Sequence, residues 1–364
     1  MKKVFVTFLA VASVIACTKS NVEFEETTEI GLKPVAHNVT KSMMNSTTGF
    51  YKSENFNVWA YYKSLPAGTD IATWQASSEN QTDYIVEKTF ENRTDTDTWG
   101  GVIPYYWPKT GSLLFVGYYP VTASESVSYE FSDAVATTNP VTPAKNRMVI
   151  SNYVAKGKVQ ADPAHDEDFM YAHMTASSYS AKSTTKPTLI FKHALSWISV
   201  VLVKSASLPD DTEVSISNVK FTAIKPQGNA VVDGASVIKW TSEGDAAEVD
   251  VVADEETKPV VLQQGNKAVL KYEPVIIPQD MCNIVVTYTI KSKDGSKFTD
   301  VTDPIQLSGL DYSWTESGEA KKGTLAAWEP GKHYTYTITV GASEILITPA
   351  VEDWVPVTAS TTVQ

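Results

Sequence analysis

The chain has 364 residues, 43% of them hydrophobic, with a formal charge of -12 and a pI near 5.0. That length is enough for two domains of ordinary size. The acidic balance argues against a nucleic-acid partner, whose phosphates demand a basic face, and against charge-driven docking on an anionic membrane surface.

The chain begins Met1-Lys2-Lys3, runs almost wholly apolar from Val4 to Ile15, and continues Ala16-Cys17. A basic start, a short apolar run and a small residue before cysteine are the parts of a secretory signal peptide with a lipoprotein cleavage site. The run is shorter than the roughly 20 residues a spanning helix needs, and no later run approaches that length. Residues 1–16 are therefore read as the signal peptide and Cys17 as the acylated mature terminus. The alternative is an ordinary signal peptide with an incidental cysteine. If Cys17 is acylated, Cys282 has no disulfide partner. Its place in the alternating run Cys282-Asn-Ile284-Val-Val286-Thr-Tyr288 predicts a buried core thiol.

Residues 17–49 read as a lipidated leader, polar and rich in Thr and Asn, with one apolar patch at Ile30 to Val35. A lone strand in such a leader must borrow its sheet from elsewhere. From Tyr51 aromatic residues become dense, as in Val58-Trp59-Ala60-Tyr61-Tyr62 and Tyr105-Tyr106-Trp107. A first domain is expected over 50–186, closing in the Ser/Thr/Lys-rich stretch Ala176 to Pro187. A second is expected over 187–364, opening with Leu189-Ile-Phe191 and Trp197-Ile-Ser-Val-Val-Leu-Val203.

Period two dominates. Val214-Ser-Ile216, Val219-Lys-Phe221, Val249-Asp-Val251 and Tyr334-Thr-Tyr336-Thr-Ile338-Thr-Val340 each alternate apolar with polar residues. Alternation of this kind sets one strand face on a core and the other in water. Pro66-Ala-Gly68, Asp233-Gly234, Asp294-Gly295 and Pro330-Gly331 punctuate the runs as turns. No amphipathic helix of ordinary length stands out. The expected class is all-β, in antiparallel sandwiches rather than parallel sheets, which need crossover helices.

The densest polar cluster is His165-Asp166-Glu167-Asp168, with His173 nearby. Adjacent residues on an extended chain point in alternate directions, and no HExxH or EF-hand spacing is present, so a solvated loop is expected there. His193 shares a strand face with Phe191 and Leu195 and reads as a satisfied, semi-buried histidine, while His37 and His333 are scattered. No GxSxG, Walker loop or Rossmann glycine pattern occurs. No catalytic residue, metal site or cofactor is predicted. Nine Trp and 17 Tyr invite a glycan-binding reading, but they sit inside alternating runs, where a sandwich buries aromatics.

Segment 355–364 carries a more specific signal. Val355, Val357, Ala359, Thr361 and Val363 are apolar or β-branched, and the intervening residues are mostly small and polar. Such a strand either folds back on its own sheet or pairs with another molecule, main-chain hydrogen bonds giving affinity and alternate side chains filling pockets.

Taken in order, the motifs resemble the fimbrillins, the lipoprotein pilins of Bacteroidetes type V pili. The likeness runs from Cys17 to Gln364. Asn55-Phe-Asn-Val-Trp-Ala-Tyr61 resembles the family's first domain strand. Tyr105-Tyr-Trp-Pro-Lys-Thr-Gly-Ser-Leu-Leu-Phe-Val-Gly-Tyr-Tyr-Pro120 resembles its aromatic segment, Phe191-Lys-His-Ala-Leu195 the opening of its second domain, and Trp328-Glu-Pro-Gly-Lys-His-Tyr-Thr-Tyr336 with Trp354 its ending. The resemblance implies two tandem transthyretin-like β-sandwich domains. It also implies export to the outer membrane as a lipoprotein, removal of the leader strand by a trypsin-like protease, and polymerisation by donor-strand exchange into an adhesive surface fimbrium. The implied partners are copies of the chain and other fimbrial subunits, the outer membrane through the lipid, and host or bacterial surface ligands.

One departure bears on maturation. The family's protease is typically arginine-specific, but no arginine lies between Cys17 and Arg93, so such a cut before the first domain is impossible. Lys41, followed by Ser42, stands where the family's site is expected, with Lys33 and Lys52 as alternatives. Either the protease accepts lysine, or the subunit keeps its leader and lipid, as an anchor would. The competing class is a monomeric surface lipoprotein binding glycan or host protein through aromatic loops; a fimbrial tip or anchor subunit is a further alternative.

Overall fold

A computed structural model of the chain describes residues 24–36, 50, 52–66, 68–93, 97–132, 145–155, 159–160, 168–177, 186–233, 237–251, 259–270, 272–316, 319–342 and 344–353. The first strands are β1 (Phe24–Glu29), β2 (Gly31–Ala36), β3 (Phe56–Lys63), β4 (Thr82–Asn92), β5 (Trp99–Gly101), β6 (Tyr106–Pro108), β7 (Ser112–Tyr119), β8 (Val127–Ser132), β9 (Lys145–Val154), β10 (Val159–Gln160), β11 (Met170–Ser177) and β12 (Thr188–His193). There follow β13 (Ser196–Lys204), β14 (Glu213–Ile224), β15 (Gln227–Asp233), β16 (Lys239–Glu243), β17 (Ala247–Asp250), β18 (Val260–Leu262), β19 (Lys267–Val269), β20 (Tyr272–Glu273), β21 (Val275–Ile276) and β22 (Asn283–Lys291). The last are β23 (Lys297–Val301), β24 (Ile305–Gln306), β25 (Asp311–Glu316), β26 (Glu319–Thr324), β27 (Lys332–Val340) and β28 (Ile345–Asp353). Among the described residues the α-helix is a short one, α1 (Ile71–Ala76), started by Asp70, whose carboxylate accepts from the Thr73 N–H at 2.8 Å. The all-β expectation is met.

Seven strands close into a barrel in the order β11-β12-β2-β5-β4-β3-β7. Its interior is aromatic, with Phe50, Phe56, Phe90, Trp99, Phe115 and Phe191 all buried together. A four-stranded sheet, β16-β15-β9-β8, covers the outer side of β3 and β7. This explains why β7 reads Ser-Leu-Leu-Phe-Val-Gly-Tyr-Tyr without alternation and is buried at every position. Leu113, Phe115 and Tyr119 line the barrel, while Leu114, Val116 and Tyr118 meet Met148, Ile150 and Val232 of the covering sheet. A strand covered on both faces has no polar side to show.

The remaining strands form a sandwich. A five-stranded sheet follows the path β19-β13-β27-β28, with β21 also on β13. A six-stranded one follows β17-β14-β22-β23, with β18 and β24 attached. Ile198, Val200, Phe221, Ile284, Tyr336 and Ile338 meet between them. Here the expected alternation appears as alternating burial along β14, β22 and β27. Asp294-Gly295 makes the β22–β23 turn, Asp294 accepting from the Ser292 hydroxyl at 2.6 Å and the Ser296 N–H at 2.9 Å, with Gly295 at φ 87°.

Two pairings are parallel, β2 with β12 and β13 with β27, where antiparallel neighbours were expected. Both join strands far apart in sequence, so no tight hairpin constrains their direction. Three strands beyond residue 187, β12, β15 and β16, complete layers begun before it. β12 belongs to the barrel, and β15 pairs with β9 from Gln227↔Val154 to Asp233↔Arg147.

Candidate functional site: the seat of the leader strand

The apolar patch of the expected leader is β2, and it is a wall strand of the barrel. It pairs in parallel with β12, from Lys33↔Thr188 to Ala36↔Phe191, and antiparallel with β5, at Gly31↔Gly100 and Leu32↔Trp99. The Lys33 N–H adds a bond to the Pro187 carbonyl at 2.8 Å, and the Ile30 N–H one to Tyr105 at 2.6 Å. Ile30 and Leu32 are fully buried, Pro34 is buried, and Lys33 points to solvent. Each fully buried aliphatic side chain stabilises by about 1.5–3 kcal/mol. Taking β2 away would open the barrel and leave the facing N–H and C=O groups of β12 and β5 without ladder partners.

Phe50 fills the barrel beside this seat. Its ring lies 5.4 Å from Phe56, 5.6 Å from Trp99, 5.6 Å from Tyr119 and 5.3 Å from Phe191, centroid to centroid. Glu54 secures the segment that follows, its carbonyl accepting from Trp99 Nε1 at 2.8 Å and its carboxylate from the Tyr119 hydroxyl at 3.3 Å. β1 continues the leader outside the barrel, paired with β6. At its end Glu29 forms an ion pair with Arg93 at 2.9 Å.

The residues singled out for lipidation, cleavage and strand donation, namely Cys17, Lys41, Ser42, Val355, Val357, Ala359, Thr361 and Val363, lie outside the described residues. Of the alternative lysines, Lys33 sits inside the β2 ladder and Lys52 in an exposed turn.

The polar clusters have structural explanations. Asp168, expected in a solvated loop, is instead buried, with its Oδ2 2.6 Å from His193 Nδ1. The register Met170↔His193 between β11 and β12 brings the pair together. His173 is largely enclosed against Tyr129, neither ring nitrogen has a hydrogen-bond partner, and burial followed by the Lys192 charge holds its pKa down at about 4. Cys282 is a buried free thiol as expected, its pKa pushed up by burial to about 12.

A third cluster was not foreseen. Ser199 Oγ lies 2.7 Å from both Glu273 Oε1 and His333 Nε2, and His333 stacks on Trp197 at 3.7 Å and 11°. Burial holds the His333 pKa down at about 4, so the ring is neutral at pH 7. Ser199 donates to the Glu273 carboxyl, whose pKa burial raises, and the serine oxygen is then open to the Nε2–H of His333. The trio ties β13, β20 and β27 together.

The aromatic runs are mostly interior. Trp59, Tyr61 and Trp107 are buried, Tyr62 and Tyr105 half-buried, and Tyr106 exposed. Sequence reasoning found β2 but missed Phe50, Arg93 and Ser199. The signal available for Phe50 was position: with Tyr51 it opens the aromatic-rich domain directly after the polar leader.

Comparison with known proteins agrees with this architecture. The sequence model of a family described as fimbrillin-like matches residues 60–354, so the chain belongs to the fimbrillin-like family. That membership places it among fimbrial subunits. A curated relative from Bacteroides uniformis bearing the name fimbrium subunit Fim1C is 25% identical over 314 residues, which cover 82% of each chain. The crystal structure of a fimbrial protein from Bacteroides vulgatus superposes with a TM-score of 0.57 at 14% identity, covering 90% of this chain and 99% of that one. At that identity the likeness speaks for the fold alone.

Proposed function

We propose that this protein is a non-enzymatic structural subunit of an adhesive cell-surface fimbrium. In this reading it is exported as a lipoprotein acylated at Cys17 and held on the outer membrane. A lysine-accepting protease then frees the leader between Lys41 and Ser42. Two tandem domains remain, the first completed by β12, β15 and β16 from beyond residue 187. Segment 355–364 of one copy, or of another fimbrial subunit, occupies the seat that the leader vacates in the next, with Val355, Val357, Ala359, Thr361 and Val363 toward the core.

The observation that carries the reading is the position of β2. A strand from the leader closes the barrel, buries Ile30 and Leu32, and is joined to β12 and β5 by main-chain pairing. Backbone ladders accept any strand with suitable side chains, so such a seat can pass from one occupant to another. Several net hydrogen bonds at about 0.5–1.5 kcal/mol each, with several buried aliphatic side chains, offset the ordering of a donated strand.

The test is deletion of Val355 to Gln364. The shortened protein should fold and be lipidated but should not polymerise after protease treatment. Native electrophoresis should show ladders for the wild type and a single band for the deletion. Ladders that persist without the segment would overturn strand donation by 355–364.

A further inference from the structure

We propose that Arg93 and Thr98, at the two ends of the β4–β5 connection, form a clasp that favours the chain's own leader strand over segment 355–364 for as long as the leader is present. The inference rests on the strand-exchange reading for its biological use, though not for its test. Arg93 Nη1 holds Glu29 Oε1 at 2.9 Å, and its other terminal nitrogen donates to the Gly101 carbonyl, so one guanidinium ties the leader to β5. Two residues on, Gly31 passes against Thr98. A Cβ at position 31 would lie 2.7 Å from Thr98 Cγ2 and 3.4 Å from Lys186 Cδ, and contacts below 3.0 Å require something to move. Opposite Gly31 stands Gly100, where a Cβ would come within 3.2 Å of Glu29 Oε1. The seat therefore selects a carboxylate at position 29 and no side chain at position 31, between the two buried anchors Ile30 and Leu32.

Segment 355–364 meets neither condition, since Val-Pro-Val-Thr-Ala-Ser-Thr-Thr-Val-Gln contains no acidic residue and no glycine. When any two of its successive odd positions take the places of Ile30 and Leu32, the residue between them is Pro356, Thr358, Ser360 or Thr362. Each carries a Cβ toward Thr98. The leader thus keeps the seat against that segment until proteolysis removes it, and a subunit is not filled before it matures. A donated strand enters only once Thr98 gives way.

Hydrogen exchange in the full-length chain tests the clasp, read on the amides of residues 30–36. Gly31→Ala should speed their exchange by about tenfold or more, and adding Thr98→Ser, which removes the offending methyl, should bring it back to within about threefold of wild type. Fluorescent peptides of sequence 27–36 and 355–364 are then offered to the Gly31→Ala chain. Capture of the 27–36 peptide should exceed capture of the other by about tenfold, a difference of about 1.4 kcal/mol. Unchanged exchange in Gly31→Ala, absence of rescue by Thr98→Ser, or equal capture of the two peptides would each overturn the clasp. Should Gly31→Ala not fold, Glu29→Ala carries both arms, with faster exchange and the same peptide preference expected. Neither readout depends on polymerisation, so failure of strand exchange and failure of the clasp are separate outcomes.

Discussion

Phe50 meets Trp99 edge-on, the ring centroids 5.6 Å apart and the planes at 85°. The contact spans the seat of the leader strand: Trp99 pairs through its backbone with Leu32 of β2, while Phe50 lies on the far side of the proposed cleavage point. Phe50 therefore stays with the barrel when residues before Ser42 leave, and keeps four aromatic neighbours in place around the opened wall. Phe50→Ala should destabilise the protein by about 3–5 kcal/mol, the usual cost of truncating a buried aromatic. Tyr106→Ala, at an exposed ring, should cost far less; urea unfolding of the two variants makes the comparison.

Acylation at Cys17 should depend on its thiol, which alone supplies the thioether to the diacylglycerol. Cys17→Ser should abolish incorporation of a fatty-acid analogue and release the protein from the membrane fraction, since each buried methylene contributes about 0.8 kcal/mol. Equal label in wild type and variant would rule the assignment out.

Limited trypsin digestion should produce Ser42 as the dominant new N-terminus. Lys33 should resist, because its bond leads to Pro34 and lies within a paired strand. Cleavage after Lys52 would carry Phe50 away with the leader, so N-terminal sequencing that found Ser53 first would contradict maturation at Lys41. A leader that survives while the domains are cut would reassign the subunit to an anchor role.

Within the donor segment, charge should act by parity. Val357→Asp and Val363→Asp should weaken polymer ladders more than Thr358→Asp and Ser360→Asp, because only the odd positions are proposed to enter the core. Equal effects at all four sites would show that the segment is not inserted as a regular strand.

His173 should lower stability in acid. Its folded pKa, held down at about 4, lies below the ordinary 6.5, so the unfolded chain binds more protons between those values. The stabilisation is complete above pH 6.5 and is lost as pH falls toward 4. His173→Phe leaves Tyr129 an apolar neighbour, removes two unsatisfied nitrogens, and should raise stability at pH 7 by about 1 kcal/mol. The difference between variant and wild type in thermal midpoint should widen from pH 7 to pH 4; a constant difference would show that His173 does not titrate in this range.

The sequence by itself determined the local order. Alternation along Val214–Phe221 and Tyr334–Val340 placed β14 and β27, because a period of two is a property of neighbouring residues. Ile30 to Val35 stood out as an apolar patch in a polar leader, and Asp294-Gly295 as a turn. Only the tertiary structure decided which edges meet. Nothing local says that β2 runs parallel to β12, that β15 extends β9, or that Asp168 leaves its polar surroundings to reach His193. Those pairings depend on main-chain groups that every residue carries alike, and on burial summed over strands more than 100 residues apart, as β2 and β12 are. The seat of the leader strand was thus visible from its occupant, while its walls, the aromatic filling by Phe50 and the Arg93–Thr98 clasp came into being only when distant strands closed the barrel.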